Sequence, residues 1–336
     1  MEDFMNADYN GEAPQDDFEE GAGAEAQQED PEENAEKVSK RIRADVRMFS
    51  GCKDCQTSAD VHDVSEFGLP DADGAGGACT NALLLTLVDS EPDTWLSLLK
   101  GMQGTLNEKS YSQVPQLSAS RQIDVNDPFT LQSPEDEGAK KSLLIGINYI
   151  DQQGELRGCH NDVLAMKDFI TTHGYGTDDD SCLVLMDDGE HTPPNHQSIL
   201  DGFDWLVSGA APGDSLFMHY SGHGGSVRDT SGDEADKMDE TMVPLDYQES
   251  GQITDDVILK NLVMVLPEGV TLTVVMDCCH SGSILDLPYT IKADEGTISA
   301  VEAGDASSLM GENPDFDLMK LLRAAREVFS LFMGGD

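Results

Sequence analysis

The sequence predicts an α/β fold, with a mostly parallel central sheet of about six strands and helices on both faces. Three observations carry this prediction. Ser142–Ile150 (SLLIGINYI), Asp214–Tyr220 (DSLFMHY) and Thr271–Met276 (TLTVVM) are continuous apolar runs, as strands buried on both faces of a parallel sheet are. Between them, Gly158–His173 and Gln197–Val207 place apolar residues at helical spacing: Val163, Met166, Phe169 and Ile170 in one, Ile199, Phe203, Leu206 and Val207 in the other. Strand and helix alternate, which implies right-handed crossovers and parallel pairing.

Composition bounds the partners. The chain has 336 residues, 65 Asp and Glu against 20 Lys and Arg, and a formal net charge of −45. Such a charge argues against nucleic acid and anionic membrane and favours cationic ligands or metal ions. No apolar run reaches the roughly 18 residues of a membrane span. The first residues, MEDFMNADYNGEAP, lack the basic and apolar regions of a signal peptide. Seven cysteines, two of them adjacent, do not suggest a disulfide scaffold. The expectation is a soluble, cytoplasmic monomer in a reducing compartment.

Taken in order, residues 1–43 are an acidic tail too poor in large apolar residues to offset the entropy of ordering them. Residues 44–129 form a first, smaller region. It has a short strand at Val46–Phe49, helices at Cys79–Val88 and Pro92–Asn107, and a turn with a short edge strand at Tyr111–Ser120. Trp95, Leu96, Leu98, Leu99 and Met102 form the stripe of the second helix. Cys52 and Cys55 make a CxxC, but a structural zinc needs two more soft ligands and no second CxxC follows. Residues 130–141 are a polar linker with Pro and Gly. The large region, 142–290, adds the strand Cys182–Met186 and a helix at Asp255–Leu266. Its acid-rich insertion, 226–256, is read as lacking clear elements. Beyond Leu287-Pro288 the pattern is lost until an amphipathic helix at Phe316–Phe332, within an extension of residues 291–336.

The chemistry-bearing residues stand where strands end. Asp277-Cys278-Cys279-His280-Ser281-Gly282-Ser283 follows the last apolar run, at the mouth of the usual α/β crevice. A cysteine there is a candidate nucleophile, given a base nearby. One strand earlier, Ser221-Gly222-His223-Gly224 delivers a histidine to the same edge. Successive strand residues face opposite ways, so Cys278 and Cys279 do not share one cleft. His280 points away from its neighbour and is read as structural.

SGHG around His223, together with DCCHSGS around Cys279, resembles the metacaspases, calcium-linked cysteine peptidases of the caspase–haemoglobinase fold. SGCKDCQTSAD and YSQVPQLS resemble the small-subunit-like region of that family. Here that region precedes the catalytic one, an order similar to the type III metacaspases of algae. The resemblance spans about residues 44–290. It implies Cys279, immediately before His-Ser-Gly, as nucleophile and His223 as base, with the N–H groups of Gly224 and Cys279 receiving the carbonyl oxygen. GCHND is similar to the family's GCxND and brings Cys159 and Asp162 to the pocket for the residue before the scissile bond. Ser221 and Asp277 match further pocket positions, and the acids imply Arg or Lys specificity. Asp239, Asp255, Asp256 and Asp286 match the family's Ca²⁺-ligating acids. No Cys or His stands among them, which argues against zinc or copper. Asp229–Glu240 has a loose likeness to an EF-hand loop, rejected because Gly232 falls at position four and Lys237 at position nine.

The expected function is therefore a calcium-activated cysteine endopeptidase cleaving protein or peptide substrates after Arg or Lys. Two alternatives compete with it. One is a non-catalytic calcium-binding adaptor on the same fold, which the presence of both dyad residues opposes. The other is a related lysosomal or secreted peptidase with Asn specificity, which the missing signal-peptide pattern and the paired pocket acids oppose.

Overall fold

The computed structural model describes residues 38, 40–51, 60–61, 76–90, 92–133, 138–228, 238–278, 282 and 284–333. In chain order the strands are β1 (Asp45–Ser50), β2 (Asp60–Val61), β3 (Gly76–Gly77), β4 (Gln116–Ala119), β5 (Lys140–Gly146), β6 (Cys182–Met186), β7 (Ser215–Ser221), β8 (Gly224–Arg228), β9 (Met238–Met242), β10 (Ile253–Thr254), β11 (Thr271–Asp277), β12 (Tyr289–Lys292) and β13 (Gly311–Glu312). The helices are α1 (Ala78–Asp89), α2 (Trp95–Glu108), α3 (Cys159–Thr172), α4 (His196–Val207), α5 (Tyr247–Ser250), α6 (Asp255–Ile258), α7 (Glu295–Ala303) and α8 (Leu318–Met333). A π-helical turn, Leu259–Val263, continues α6.

One sheet of eight strands organises the fold, in the order β13-β12-β4-β1-β11-β7-β5-β6. The five strands β1, β11, β7, β5 and β6 pair in parallel, and β4, β12 and β13 continue antiparallel. Strand alternation divides the interior into two cores. Val46, Met48, Leu143, Ile145, Leu216, Met218, Leu272 and Val274 face one side, where they pack with α4, the π turn and α8. Phe49, Leu144, Phe217 and Val275 face the other, against α1, α2, α3 and α7. The continuous apolar runs are thus explained: the central strands are covered on both faces.

β1 comes from the small region, yet it lies between β4 and β11 in the middle of the sheet. Both central neighbours of β11 therefore matter to its end: β1 on one side, β7 on the other, with Ser50 opposite Met276 and Ser221 opposite Asp277. Helix α2 starts at a capping box, Thr94 with Ser97, which satisfies first-turn amides that an isolated helix leaves open. Its buried residues include all five of the expected stripe.

Several expectations need correction. Tyr111–Ser120 does not supply an edge strand, because β12 pairs with β4 on its outer side. The strand expected at Ser142–Ile150 ends at Gly146; Tyr149 and Asp151 take left-handed backbone (φ 51 and 61) and turn the chain into a loop. The insertion is not featureless. Its described part holds a three-stranded sheet, β10-β9-β8, and the short helix α5. Alternation there is weak because Gly224-Gly225 opens β8 and acids interrupt β9. The extension also has order that its sequence hid: β12, α7 and β13 precede α8 and widen the sheet from about six strands to eight. Cys52 and Cys55, like most of the EF-hand-like stretch, lie outside the described residues.

Candidate active site

β5, β7 and β11 end side by side, with Gly146, Ser221 and Asp277 in register. His223 follows β7 by two residues. It is held from three directions by groups that sequence alone did not flag. Its ring Nε2 lies 2.6 Å from the carbonyl oxygen of Gly154. Its N–H donates to the Tyr149 hydroxyl (3.0 Å), and its C=O accepts from the Tyr220 hydroxyl (2.7 Å). The Tyr149 ring also packs on the imidazole, with centroids 4.7 Å apart. Burial pushes both tyrosine hydroxyls well above their usual range, so they remain protonated donors. A carbonyl only accepts, so the Gly154 contact puts the ring proton on Nε2. Nδ1 is then the basic nitrogen.

The loop bearing Gly154 has its own support. Asp187, at the end of β6, accepts from the N–H groups of Asn148 and Ile150 and from His160 at 2.6 Å. Burial tends to raise this carboxyl, but the hydrogen bonds to His160, Asn148 and Ile150 outweigh it and hold it below the usual range. Gly154 itself has φ +84, open to glycine and strained for other residues.

Of the four residues expected at the pocket, Asp162, Ser221 and Asp277 gather beside Gly77 at the end of β7. Asp162, in the first turn of α3, is 2 % exposed and Asp277 is 4 % exposed. Ser221 Oγ donates to Asp162 Oδ2 (2.7 Å), and Cys159 sits buried one helical turn before Asp162. Helix α1, from the small region, aims its N-terminus at both acids. The N–H of Gly77 donates to the two Asp162 oxygens at 2.9 and 2.8 Å. The N–H of Thr80 donates to Asp277 Oδ2 at 2.7 Å. No side chain of its own caps α1, so these two carboxylates satisfy amides that the helix leaves open. Gly77 is required by proximity: a Cβ there would stand 2.1 Å from Asp277 Oδ2 and 2.9 Å from Asp162 Oδ2.

A second histidine on β7 was absorbed into the apolar run. His219 is fully buried beside Thr80 Oγ1 (3.2 Å), and burial pushes its pKa down to about 3. It is neutral across the physiological range and therefore distinct from His223 in role. Cys278 is buried in the other core, with Met276. Cys279 and His280 lie outside the described residues. Gly224 is buried at the start of β8, opposite Met242.

The four acids expected to hold calcium do not come together as an ion site. Asp239 lies in β9, Asp255 and Asp256 open α6, and Asp286 lies after Ile284-Leu285 at φ 45. Their oxygens suit a hard cation in kind. Among the described residues, however, no three His, Cys, Asp or Glu are grouped so as to hold a metal ion. Asp255 and Asp286 instead share the ammonium of Lys320, at 2.8 and 2.9 Å. As arranged, the acids do not fit a bound metal.

A parallel sheet with a histidine leaving one strand and a Cys-Cys-His sequence leaving the next defines a cysteine peptidase of the caspase type. Known sequences narrow this class. The family model described as "Metacaspase, peptidase C14 domain" matches residues 140–288, and one described as "Caspase domain" matches residues 8–125. Metacaspase III c of Phaeodactylum tricornutum is 47% identical over 300 residues, covering 87% of this chain and 86% of that protein. Metacaspase-1 of Mycosarcoma maydis is 46% identical over 200 residues, 58% of this chain and 49% of that one. Metacaspase-1 of Schizosaccharomyces pombe is 48% identical over 166 residues, 48% of this chain and 38% of its own. The chain spans half or less of these two fungal relatives. It belongs to the metacaspase family and is a cysteine-type peptidase. No helix among the described residues is long and apolar enough to cross a membrane.

Proposed function

We propose that this metacaspase is an endopeptidase cleaving after Arg or Lys, with His223 and Cys279 as its dyad. One observation carries the specificity: Asp162 and Asp277, both buried, converge on Gly77 beside the strand ends that lead to His223 and Cys279. Backbone amides of Gly77 and Thr80 orient these carboxylates in a desolvated setting. A guanidinium or ammonium is the complement, and a charge pair there is worth far more than at the surface. Ser221 and Cys159 complete the wall.

The chemistry follows from the tautomer. His223 Nδ1 takes the thiol proton of Cys279, and the thiolate sulfur attacks the scissile carbonyl carbon. Backbone N–H groups of Gly224 and Cys279 receive the oxyanion. The imidazolium returns its proton to the amide nitrogen as the C–N bond breaks and the amine leaves. Water, deprotonated by His223, then hydrolyses the thioester. Gly154 keeps Nε2 protonated throughout, so that Nδ1 is the atom that exchanges protons.

Calcium activation belongs to this proposal on donor chemistry alone. Carboxylates are the donors a hard cation takes, so Ca²⁺ binding would require these acids to regroup, and no catalytic step runs through the ion.

The test is hydrolysis of fluorogenic peptides ending in Arg, Lys, Asp or Asn, with and without millimolar Ca²⁺. Turnover confined to Arg and Lys is expected. Equal rates for Asp or Asn would overturn the pocket, and no turnover by folded protein under either condition would favour the adaptor.

A further inference from the structure

Among the described residues, no acid pairs with the His223 imidazole; the histidines that meet carboxylates are His160 and His191. What sets the tautomer of His223 is the main-chain carbonyl of Gly154, and a carbonyl is only as well placed as the loop that bears it. That loop is not held by its own conformation. Tyr149 and Asp151 take left-handed backbone, which residues other than glycine keep only where their surroundings impose it. Ile150 stands between them, and its N–H donates to Asp187 Oδ2 at 3.2 Å. Oδ1 of the same carboxylate accepts the Asn148 N–H at 2.8 Å and meets His160 Nε2 at 2.6 Å. The Asp187 side chain is 4 % exposed, so these bonds are made where water hardly competes for them.

We propose that Asp187 is the positioning residue of the base, acting on His223 through the loop that ends at Gly154 and tying that loop to α3. The inference rests on the dyad read above and deepens it. The tie to α3 is double. His160 lies in its first turn, and Asn148, whose N–H Asp187 holds, accepts the N–H of Cys159 on its Oδ1 at 3.0 Å. The same first turn carries Asp162. One carboxylate at the end of β6 thus joins the pocket helix to the loop against the imidazole. Its loss falls unevenly on the two. Asp162 keeps Ser221 Oγ and the Gly77 N–H whatever happens at Asp187. The loop loses the bonds at Asn148 and Ile150, and with them the restraint on its two left-handed residues. An imidazole whose Nε2 partner drifts can carry its proton on either nitrogen, and only the form with Nδ1 free takes the thiol proton. A carboxylate that touches a catalytic imidazole directly is worth up to about 10⁴ in kcat, chiefly through the tautomer. Asp187 acts at one remove and is worth less; a misplacement of about 1 Å costs on the order of 100-fold.

The test is Asp187→Asn, which keeps the shape but offers one acceptor oxygen in place of two, so that a loop amide meets an N–H₂ group. The tautomer is read from the ring-nitrogen NMR shifts of His223, at a pH where the ring is neutral, in the full chain carrying Cys279→Ala. Nε2 should be protonated in this parent, and a population with the proton on Nδ1 should appear once Asp187→Asn is added. The same tautomer in both, or Nδ1 protonated in the parent, overturns the inference. In the full chain that retains Cys279, Asp187→Asn should lower kcat on the order of 10- to 100-fold and leave KM within about twofold, measured on the fluorogenic peptide turned over fastest. An unchanged kcat, or a loss carried by KM, overturns it as well. Turnover surviving in the Cys279→Ala chain sinks the dyad and this inference together, whereas the NMR comparison can fail alone. Should the Asn variant not fold, His160→Leu decides: it takes one donor from Asp187 and loosens the loop from α3. A smaller shift of the same kind in the tautomer is expected there, and an unshifted ring overturns the inference.

Discussion

Replacing Gly77 with Ala tests whether the small region roofs the specificity pocket. The added Cβ would stand 2.1 Å from Asp277 Oδ2, 2.6 Å from its Cγ and 2.9 Å from Asp162 Oδ2. None of these atoms is the loose end of a flexible chain; both carboxylates are buried and hydrogen-bonded. Either the acids move or α1 lifts away. Overpacking of this kind costs about 1–3 kcal/mol. If α1 lifts, Asp162 also loses the Gly77 N–H, a bond to a charged group worth about 1.5–3 kcal/mol. At about 2–4 °C per kcal/mol for a domain of 150–250 residues, the melting temperature should fall by several degrees. Activity on Arg peptides should fall more than stability does, because the displaced atoms belong to the proposed pocket. The assays are thermal denaturation and kcat/KM on Arg and Lys substrates at a temperature where the variant stays folded. A variant with the parent's melting temperature and its Arg activity would refute the claim that α1 and the two acids are one assembly.

Cys279→Ala should abolish turnover with the fold intact, whereas Cys278→Ala, which only trims the core, should keep most of it; peptide hydrolysis by both variants checks the assignment. His219 sets an acid limit on stability. Its folded pKa, about 3, lies below its ordinary 6.5, so the unfolded chain takes up a proton first. Stability is intact above pH 6.5 and falls by about 1.4 kcal/mol per pH unit below it. His219→Gln should flatten that part of the melting-temperature profile, and a parallel decline in both proteins would contradict it. Lys140 pairs with Ser215 at the sheet edge opposite the site, so a cut there uncovers nothing. A chain with Arg41, Arg43, Lys140 and Lys141 all replaced by Ala should therefore stay full-length on a gel and remain active with Ca²⁺. An uncut but inactive product would mean that processing is obligatory.

The parallel core was legible because its strands are covered on both faces and say so in unbroken apolar runs. Helix stripes such as that of α2 were equally plain. What sequence reading missed was context. β12 is four residues long, Tyr289-Thr290-Ile291-Lys292, with no periodicity to mark it, and it is a strand only because β4 offers an open edge. Tyr149 and Tyr220 read as core aromatics, and no spacing rule links either to a histidine. Asp162 was singled out by its motif but not as the cap of a helix whose first amide lies 85 residues earlier in sequence, since capping across the fold leaves no local pattern. Lys320 carried no signal at all. A lysine in an amphipathic helix is normally solvent-facing, and only the two acids meeting it bring it inside.

The position of β1 has a consequence for how the protein is made. β1 is finished near residue 50, but its parallel partner β11 begins at Thr271. At about 5–20 residues per second of synthesis, roughly 10–45 s pass before that partner exists. Until then only β4 is available to β1, and the antiparallel pair leaves one hydrogen-bonding edge open, with Val46 and Met48 lacking the large-region side chains that cover their face. An open, apolar edge is a template for wrong pairing. A metacaspase with its small region first thus emerges from the ribosome with the middle of its sheet waiting for the end.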